Sequence, residues 1–207
     1  MGELTRPQLD LLQELINIGV GHAAGTLNQM SGQHVSLHAP EVTVLPIERM
    51  LSGEIMDAGQ NVMAIKLSFS GTFSGMASLM FPPESANKLI TIILGEEPVA
   101  EDMDLMRMGV LQEVGNIVLN GVMGSIGNLL MEHIEYLPPD YYETSLADLL
   151  VSEGHQQNML LLAKTNFFLE ERLIQGDILV VFRLQTFDSL LTALNKMMAE
   201  QGMSIAD

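Results

Sequence analysis

Apolar residues recur at helical spacing in two long stretches of the chain. In the first stretch, Thr5 and Pro7 form a start signal, and apolar side chains then recur every three or four positions to about Met30. The second stretch follows the acidic residues of 101–104, which favour the start of a helix, and extends to about His133. The pattern therefore predicts two long amphipathic helices.

Shorter patterns follow each long helix in the same order. After the first, alternation and turn signals predict a strand over 34–46 interrupted at Ala39-Pro40, a short helix over 47–51, strands over 61–70 and 74–81, and a helix over 82–94. After the second, they predict a short helix over 145–151, strands over 157–168 and 173–184, and a helix over 186–200. The best internal boundary is the stretch 95–99.

The two halves of the chain are similar in sequence as well as in pattern. Gln60-Asn-Val-Met-Ala-Ile corresponds to Gln157-Asn-Met-Leu-Leu-Leu at an offset of 97 residues. This indicates one domain over 1–207 built from two repeats, about 5–95 and 101–201. The exposed hairpin edges would join into one sheet. The predicted fold is an α/β, internally duplicated pseudo-twofold unit, with a continuous β-sheet and two long helices packed on a face.

A polar pair is repeated on the two long helices. Leu-Gln-Glu-x-x-Asn occurs with Glu14 and Asn17 and again with Glu113 and Asn116. A spacing of i, i+3 puts both side chains on one helix face. In each copy a proline, Pro40 or Pro139, follows the asparagine by 23 residues.

Each pair belongs to a polar stripe along its helix. The stripes consist of Asp10, Glu14, Asn17 and Gly21 on the first helix and of Gly109, Glu113, Asn116 and Asn120 on the second. An ordinary solvated face would explain the glutamates. Asparagine, however, is a mediocre helix former with no evident local use in mid-helix, so its recurrence favours a function.

The chemistry of the pair suits docking better than proton transfer. A carboxylate can pair with a lysine of a partner, and a carboxamide offers both a donor and an acceptor that could orient one water molecule. General acid–base catalysis is less suited, because neither Glu14 nor Glu113 has a histidine beside it on the stripe.

Charge and composition narrow the classes of partner. The net charge of −17, from 26 acidic and 9 basic residues, argues against nucleic acid and anionic membranes, although it also serves solubility. The absence of cysteine excludes disulfides and thiol catalysis. No run approaches the roughly 20 apolar residues of a membrane span, and the first residues lack a signal core, so we expect a cytoplasmic protein.

Three weaker signals favour structural interpretations. The run Gly19-Val-Gly21-His-Ala-Ala-Gly25 does not follow a strand, so close helix packing, or room for the backbone of a partner, is favoured over dinucleotide binding. His34 and His38 would lie roughly 13 Å apart on a strand, too far for one metal ion. Methionines near Met106 are expected to fill the core, although an adaptable partner surface at Met103, Met106 and Met108 is an alternative.

The repeated pattern resembles the signature Asp/Ser-x3-Glu-x2-Asn-x22-Pro of the CheC/CheX/FliY family of chemotaxis phosphatases. Asp10, Glu14, Asn17 and Pro40 match it in full. The second copy matches at Glu113, Asn116 and Pro139 but has Gly109 at the Asp/Ser position. Two motifs without an appended flagellar-switch domain resemble the CheC branch, rather than single-motif CheX or the longer FliY.

The resemblance implies hydrolysis of the aspartyl phosphate of a CheY-like response regulator. Glu14 and Glu113 would pair with the regulator's lysine, and Asn17 and Asn116 would orient the attacking water. No cofactor of its own is implied, since Mg²⁺ would belong to the phosphorylated partner. The first site is expected to be intact, and Gly109 leaves the support of the second in question.

The alternative from another class is a non-catalytic adaptor that binds receiver domains or a CheD-like deamidase, a partner that the resemblance makes plausible. Retention of both asparagines favours the enzyme, because an adaptor would not need them. We expect a monomer, since the duplication supplies within one chain what a dimer would otherwise provide.

Overall fold

The computed structural model describes residues 4–94, 103–151, 158–169 and 172–202. Their elements in chain order are α1 (Arg6–Ser31), β1 (Val35–Pro46), α2 (Ile47–Leu51), β2 (Asn61–Gly71), β3 (Gly75–Phe81), α3 (Pro83–Leu94), α4 (Met103–Leu129), β4 (Ile134–Tyr136), β5 (Asp140–Ser145), α5 (Leu146–Val151), β6 (Met159–Leu169), β7 (Arg172–Phe182) and α6 (Leu184–Glu200). The boundary predicted at 95–99 lies outside the described residues.

The strands form one antiparallel sheet in the order β1-β6-β7-β3-β2, and both β4 and β5 pair with the far edge of β2. The hairpins β2–β3 and β6–β7 meet where β3 pairs with β7, from Gly75 opposite Phe182 to Met80 opposite Asp177. This confirms the predicted continuous sheet. Moreover, β1 pairs with β6 and β5 pairs with β2, so each half contributes a strand to the hairpin of the other.

The helices divide between the two faces of the sheet. Apolar residues of α1, α3, α4 and α6 form one large core with alternate residues of the strands, such as Ile65 and Leu79. The short helices α2 and α5 cover a smaller core on the opposite face, which includes Ala64 and Met80. The predicted placement of both long helices on one face is therefore confirmed. No helix in the described ranges is long and apolar enough to cross a membrane.

Local signals define the ends of the long helices. The Thr5 side chain and the Gln8 side chain form a capping box at the start of α1. Helix α4 ends at Leu129, earlier than the predicted end near His133, because Met131 adopts a φ of 57°. The N–H of Glu132 then donates to the carbonyl of Gly127 at 2.8 Å, which closes the last turn.

Strands β4 and β5 were not predicted from the sequence. Their residues alternate poorly in burial, and only Ile134 is buried among them. Pro138 and Pro139 also interrupt the stretch and remove backbone donors. These strands form because the edge of β2 offers them a template, which is a tertiary effect.

Helices α1 and α4 cross with their backbones in contact. A Cβ atom added to Gly19 would lie 2.6 Å from Val122 Cα, and one added to Gly121 would lie 2.7 Å from the carbonyl oxygen of Gly19. The interpretation of the glycine run as a packing feature is thus confirmed for Gly19. Gly21 and Gly25 face open space.

Gly19→Ala should therefore separate the two helices. We expect a loss of about 1–3 kcal/mol in the free energy of unfolding, the usual cost of overpacking, measured by urea denaturation. Gly25→Ala is the matched control and should not destabilise the chain, since alanine is the better helix former and nothing lies near its Cβ. Equal stability of the two variants would contradict the close crossing.

A row of charged side chains crosses the sheet on the face of the short helices. Lys164 Nζ lies 3.1 Å from Glu41 Oε2, and Asp177 lies opposite Lys164 on β7. Burial raises the pKa of Asp177 to about 6, with Lys164 lowering it and Glu41 raising it. The folded chain therefore holds this proton more tightly than the unfolded chain does.

Stability should consequently fall as pH rises through the raised pKa of Asp177. Between about pH 5 and pH 7.5, the wild type should lose about 1–2 kcal/mol of unfolding free energy relative to Asp177→Asn. Urea denaturation of both proteins at the two pH values measures the difference. A constant gap between them would show that Asp177 ionises normally in the folded state.

Candidate functional site

The structure presents both polar stripes on the outer side of the long helices. Glu14 and Glu113 are exposed, and Asn17 and Asn116 are half-buried one turn further along. We call Asp10, Glu14, Asn17 and Pro40 the first site, and Gly109, Glu113, Asn116 and Pro139 the second site. These names refer to the sequence motifs, whose catalytic roles stay predictions.

Asn17 is bound to the backbone of strand β1. Its Oδ1 accepts from the N–H of Ala39 at 3.0 Å, and its Nδ2 donates to the carbonyl of Ala39 at 3.2 Å. Nδ2 also donates to the carbonyl of Gln13 at 3.0 Å. Both N–H groups of the carboxamide therefore have acceptors within the chain itself.

The sequence explains why Ala39 needs this partner. The pairing of β1 with β6 shifts register between His38 and Glu41, so Ala39 falls in a bulge without a cross-strand partner. Pro40 has no N–H and sustains the interruption. Since Ala39 is fully buried, its N–H and carbonyl require hydrogen bonds, and Asn17 supplies both.

The expectation that Asn17 has no local use in mid-helix was therefore wrong. Part of the motif spacing has a structural origin, because the asparagine and the residue before the proline are bonded to each other. Sequence periodicity could not reveal this, since the partner lies 22 residues away on another element.

Gln13 and Gln112 are site residues that the sequence analysis did not single out. Gln13 Nε2 donates to the carbonyl of Pro40 at 3.0 Å, and Gln112 Nε2 donates to that of Pro139 at 3.4 Å. Both glutamines attach the motif proline to the helix that carries the glutamate and asparagine. The signal was present in the repeated Leu-Gln-Glu core, where the glutamine recurs with the acid.

The second site differs at its asparagine. Asn116 Oδ1 accepts from Asn120 Nδ2 at 2.7 Å, a contact on the helix surface. Pro138 occupies the position that corresponds to Ala39 and lacks an N–H, so it cannot donate to Asn116. Across the described ranges, no hydrogen bond joins Asn116 to the backbone of Pro138.

The carboxylates of the sites are free to meet a partner. In the part of the chain that the structure describes, Glu14, Glu113 and Asp10 have no ion pair or hydrogen bond of their side chains. An exposed carboxylate with a carboxamide one turn away can bind a cationic group and orient a small polar ligand beside it. Each site offers this combination on a rigid helix.

The described residues contain no group of three or more metal-ligating side chains. His34 precedes β1, and His38 lies on it with its ring edge against Phe168. The alternative of an adaptable partner surface involved three methionines. Met106 is exposed and Met108 is half-buried, while the side chain of Met103 is not among those that the structure describes.

No family model matches the chain. Among curated proteins, it is similar to the flagellar motor switch phosphatase FliY of Bacillus subtilis (strain 168), with 25% identity over 98% of the chain and 53% of that protein. It is also similar to the CheY-P phosphatase CheC of the same organism, with 26% identity over 59% of each. The chain thus spans little more than half the length of the curated relatives it matches.

The fold is similar to the crystal structure of Thermotoga maritima FliY, with a TM-score of 0.74 and 17% identity over 95% of this chain and 100% of that one. The chain is thus similar in sequence and in fold to members of the CheC/CheX/FliY family. Two further solved structures have a similar fold. One is a chain of the CheX-CheY-BeF3-Mg complex from Borrelia burgdorferi, with a TM-score of 0.52 and 15% identity over 83% of this chain and 99% of that one. The other is a chain of the FliG-FliM complex from H. pylori, with a TM-score of 0.67 and 12% identity over 91% of this chain and 100% of that one.

The two motif asparagines should contribute unequally to stability. Asn17→Ala removes the partner of a buried N–H and should cost about 1–3 kcal/mol of unfolding free energy. Asn116→Ala removes one surface bond and should cost less than about 1 kcal/mol. Urea denaturation of both variants tests this, and a larger loss for Asn116→Ala would contradict the hydrogen-bond assignment.

Proposed function

We propose that the chain is a phosphatase of the aspartyl phosphate on a CheY-like receiver domain. The observation that carries the proposal is the pair of an exposed glutamate and a half-buried asparagine on one face of a long helix, which the duplication repeats. Similarity to proteins named flagellar motor switch phosphatase and CheY-P phosphatase supports this class of reaction. A CheX-CheY complex among the neighbours supports a receiver domain as the partner.

Docking would begin with electrostatic attraction between a glutamate of the chain and a lysine of the receiver. Glu14 or Glu113 pairs with the lysine beside the receiver's phosphoaspartate, and the chain's net charge of −17 favours a partner whose contact surface is basic. Because each glutamate is exposed and unpaired in the described residues, it meets the lysine without first breaking a contact. The pairing then fixes the position of the helix over the phosphorylated site.

The asparagine would act on the attacking water. From one turn along the helix, the carboxamide of Asn17 or Asn116 reaches the acyl phosphate and holds a water in line with the bond to be broken. The water oxygen forms the new bond to phosphorus, the bond from phosphorus to the aspartate oxygen breaks, and inorganic phosphate leaves. The gain is in positioning, as in phosphoryl transfer generally, and Mg²⁺ belongs to the substrate protein.

The assignment to the CheC branch stays a prediction. The match to FliY covers 98% of the chain and so spans both halves, which means that the duplication alone does not separate the two branches. A CheD-like partner, a monomeric state and a cytoplasmic location likewise stay predictions from the sequence.

The deciding experiment follows the decay of a phosphorylated CheY-like receiver in Mg²⁺ with wild type, Asn17→Ala, Asn116→Ala and the double variant. The double variant should lower the catalysed rate at least about tenfold, toward the receiver's own rate. Glu48→Ala, an exposed substitution on α2 on the opposite face of the sheet, is the control and should leave the rate unchanged. Circular dichroism should first show that each variant is folded.

A double variant as active as the wild type would refute the catalytic proposal. If that variant still bound the phosphorylated receiver, the adaptor alternative would replace it. Loss of binding together with loss of rate would instead assign the asparagines to docking.

A further inference from the structure

We propose that the residue before each motif proline sets how readily its asparagine reaches the substrate. Ala39 holds Asn17 against strand β1, whereas Pro138 leaves Asn116 free to act, so the second site carries most of the turnover. This inference rests on the proposed phosphatase function. It names Ala39 and Pro138 as positioning residues of the two sites.

The hydrogen-bond capacity of the carboxamide supports the first step. An asparagine side chain has two N–H donors and one oxygen with two lone pairs. Asn17 uses both donors, on the carbonyls of Gln13 and Ala39, and one lone pair, on the N–H of Ala39. To donate to a water or a phosphoryl oxygen, it must give up at least one of these bonds.

The geometry makes release costly at the first site. Ala39 is fully buried, and its backbone lies in a bulge of β1 without a cross-strand partner. When Asn17 swings out, the N–H of Ala39 loses its partner in a place with little access to water. Release of Asn17 therefore costs both its own hydrogen bonds and the free energy of leaving the buried N–H of Ala39 without a partner.

Asn116 has no such restraint. Its Oδ1 accepts only from Asn120, on an exposed part of the helix where water can replace that bond. Within the described residues, neither N–H of its Nδ2 has an acceptor in the chain. Asn116 can thus donate to a ligand from the conformation that it already has.

The backbone restraint on the asparagine differs between the two sites at one atom. Gln112 still contacts the carbonyl of Pro139, as Gln13 contacts that of Pro40, so both motif prolines are attached to their helices. What the second copy lacks is the donor of the preceding residue, because the nitrogen of Pro138 carries no hydrogen. Ala39 and Pro138 correspond at the same offset of 99 residues as the motifs themselves.

The test compares the sites one at a time on a CheY-like receiver phosphorylated with acetyl phosphate in Mg²⁺. Asn17→Ala, which leaves the second site, should keep most of the wild-type rate. Asn116→Ala, which leaves the first, should lose about tenfold, the factor that corresponds to the opening of one to two net hydrogen bonds. Similar rates for the two variants, or a larger loss for Asn17→Ala, would overturn the inference.

Reciprocal substitutions then address the positioning residues. In the Asn17→Ala background, Pro138→Ala restores the N–H and should lower kcat several-fold while KM changes little, because docking by Glu113 is untouched. In the Asn116→Ala background, Ala39→Pro should raise kcat. An unchanged kcat for Pro138→Ala would count against the role of the backbone donor, whatever Ala39→Pro does to folding.

A measurement without catalysis separates this inference from the proposed function. NMR of the side-chain amides in the wild type should show slow hydrogen exchange for the Asn17 carboxamide and fast exchange for that of Asn116. Pro138→Ala should slow exchange at Asn116. If the double asparagine variant were fully active, the phosphatase proposal would fail while this result stood, and equal exchange at the two asparagines would refute the inference alone.

Discussion

The backbone contact between α1 and α4 is the constraint on which both sites depend. Gly19 and Gly121 let the helices cross at a distance that no side chain would permit. The crossing lies two residues from Asn17 and next to Asn120, so it fixes where the polar stripes emerge. It also ties the first half of the chain to the second, as the pairing of β3 with β7 does in the sheet. Two sites on one rigid body follow from this arrangement.

The hydrogen bonds between Asn17 and Ala39 give the motif a structural role in addition to the proposed catalytic one. A proline in β1 interrupts the ladder, the interruption leaves a buried peptide group without a partner, and an asparagine on the covering helix satisfies it. The same side chain is the candidate for orienting a water molecule. An asparagine that does both stabilises the fold but is less available to a substrate. In the second copy, Pro138 has no N–H to satisfy, so Asn116 does not have the structural role.

The helices and most strands could be predicted because their signals are local. A capping box begins α1 where Thr5 and Pro7 predicted it, and Ala39-Pro40 interrupts β1 as expected. Strands β4 and β5 escaped prediction because they have little apolar alternation of their own and depend on the edge of β2. The duplication, read from sequence offsets, was enough to predict how the two hairpins join.

The sequence was sufficient to predict most of the elements, the repeat and the presence of a glutamate and an asparagine on one face of each long helix, because these follow from spacing along a regular backbone. It ranked the first site higher, since Asp10 completes the motif there and Gly109 does not. Only the tertiary structure showed that Asn17 is engaged by Ala39 and Asn116 is not. Hydrogen bonds between distant segments depend on how the sheet and helices meet, and no local pattern contains that information.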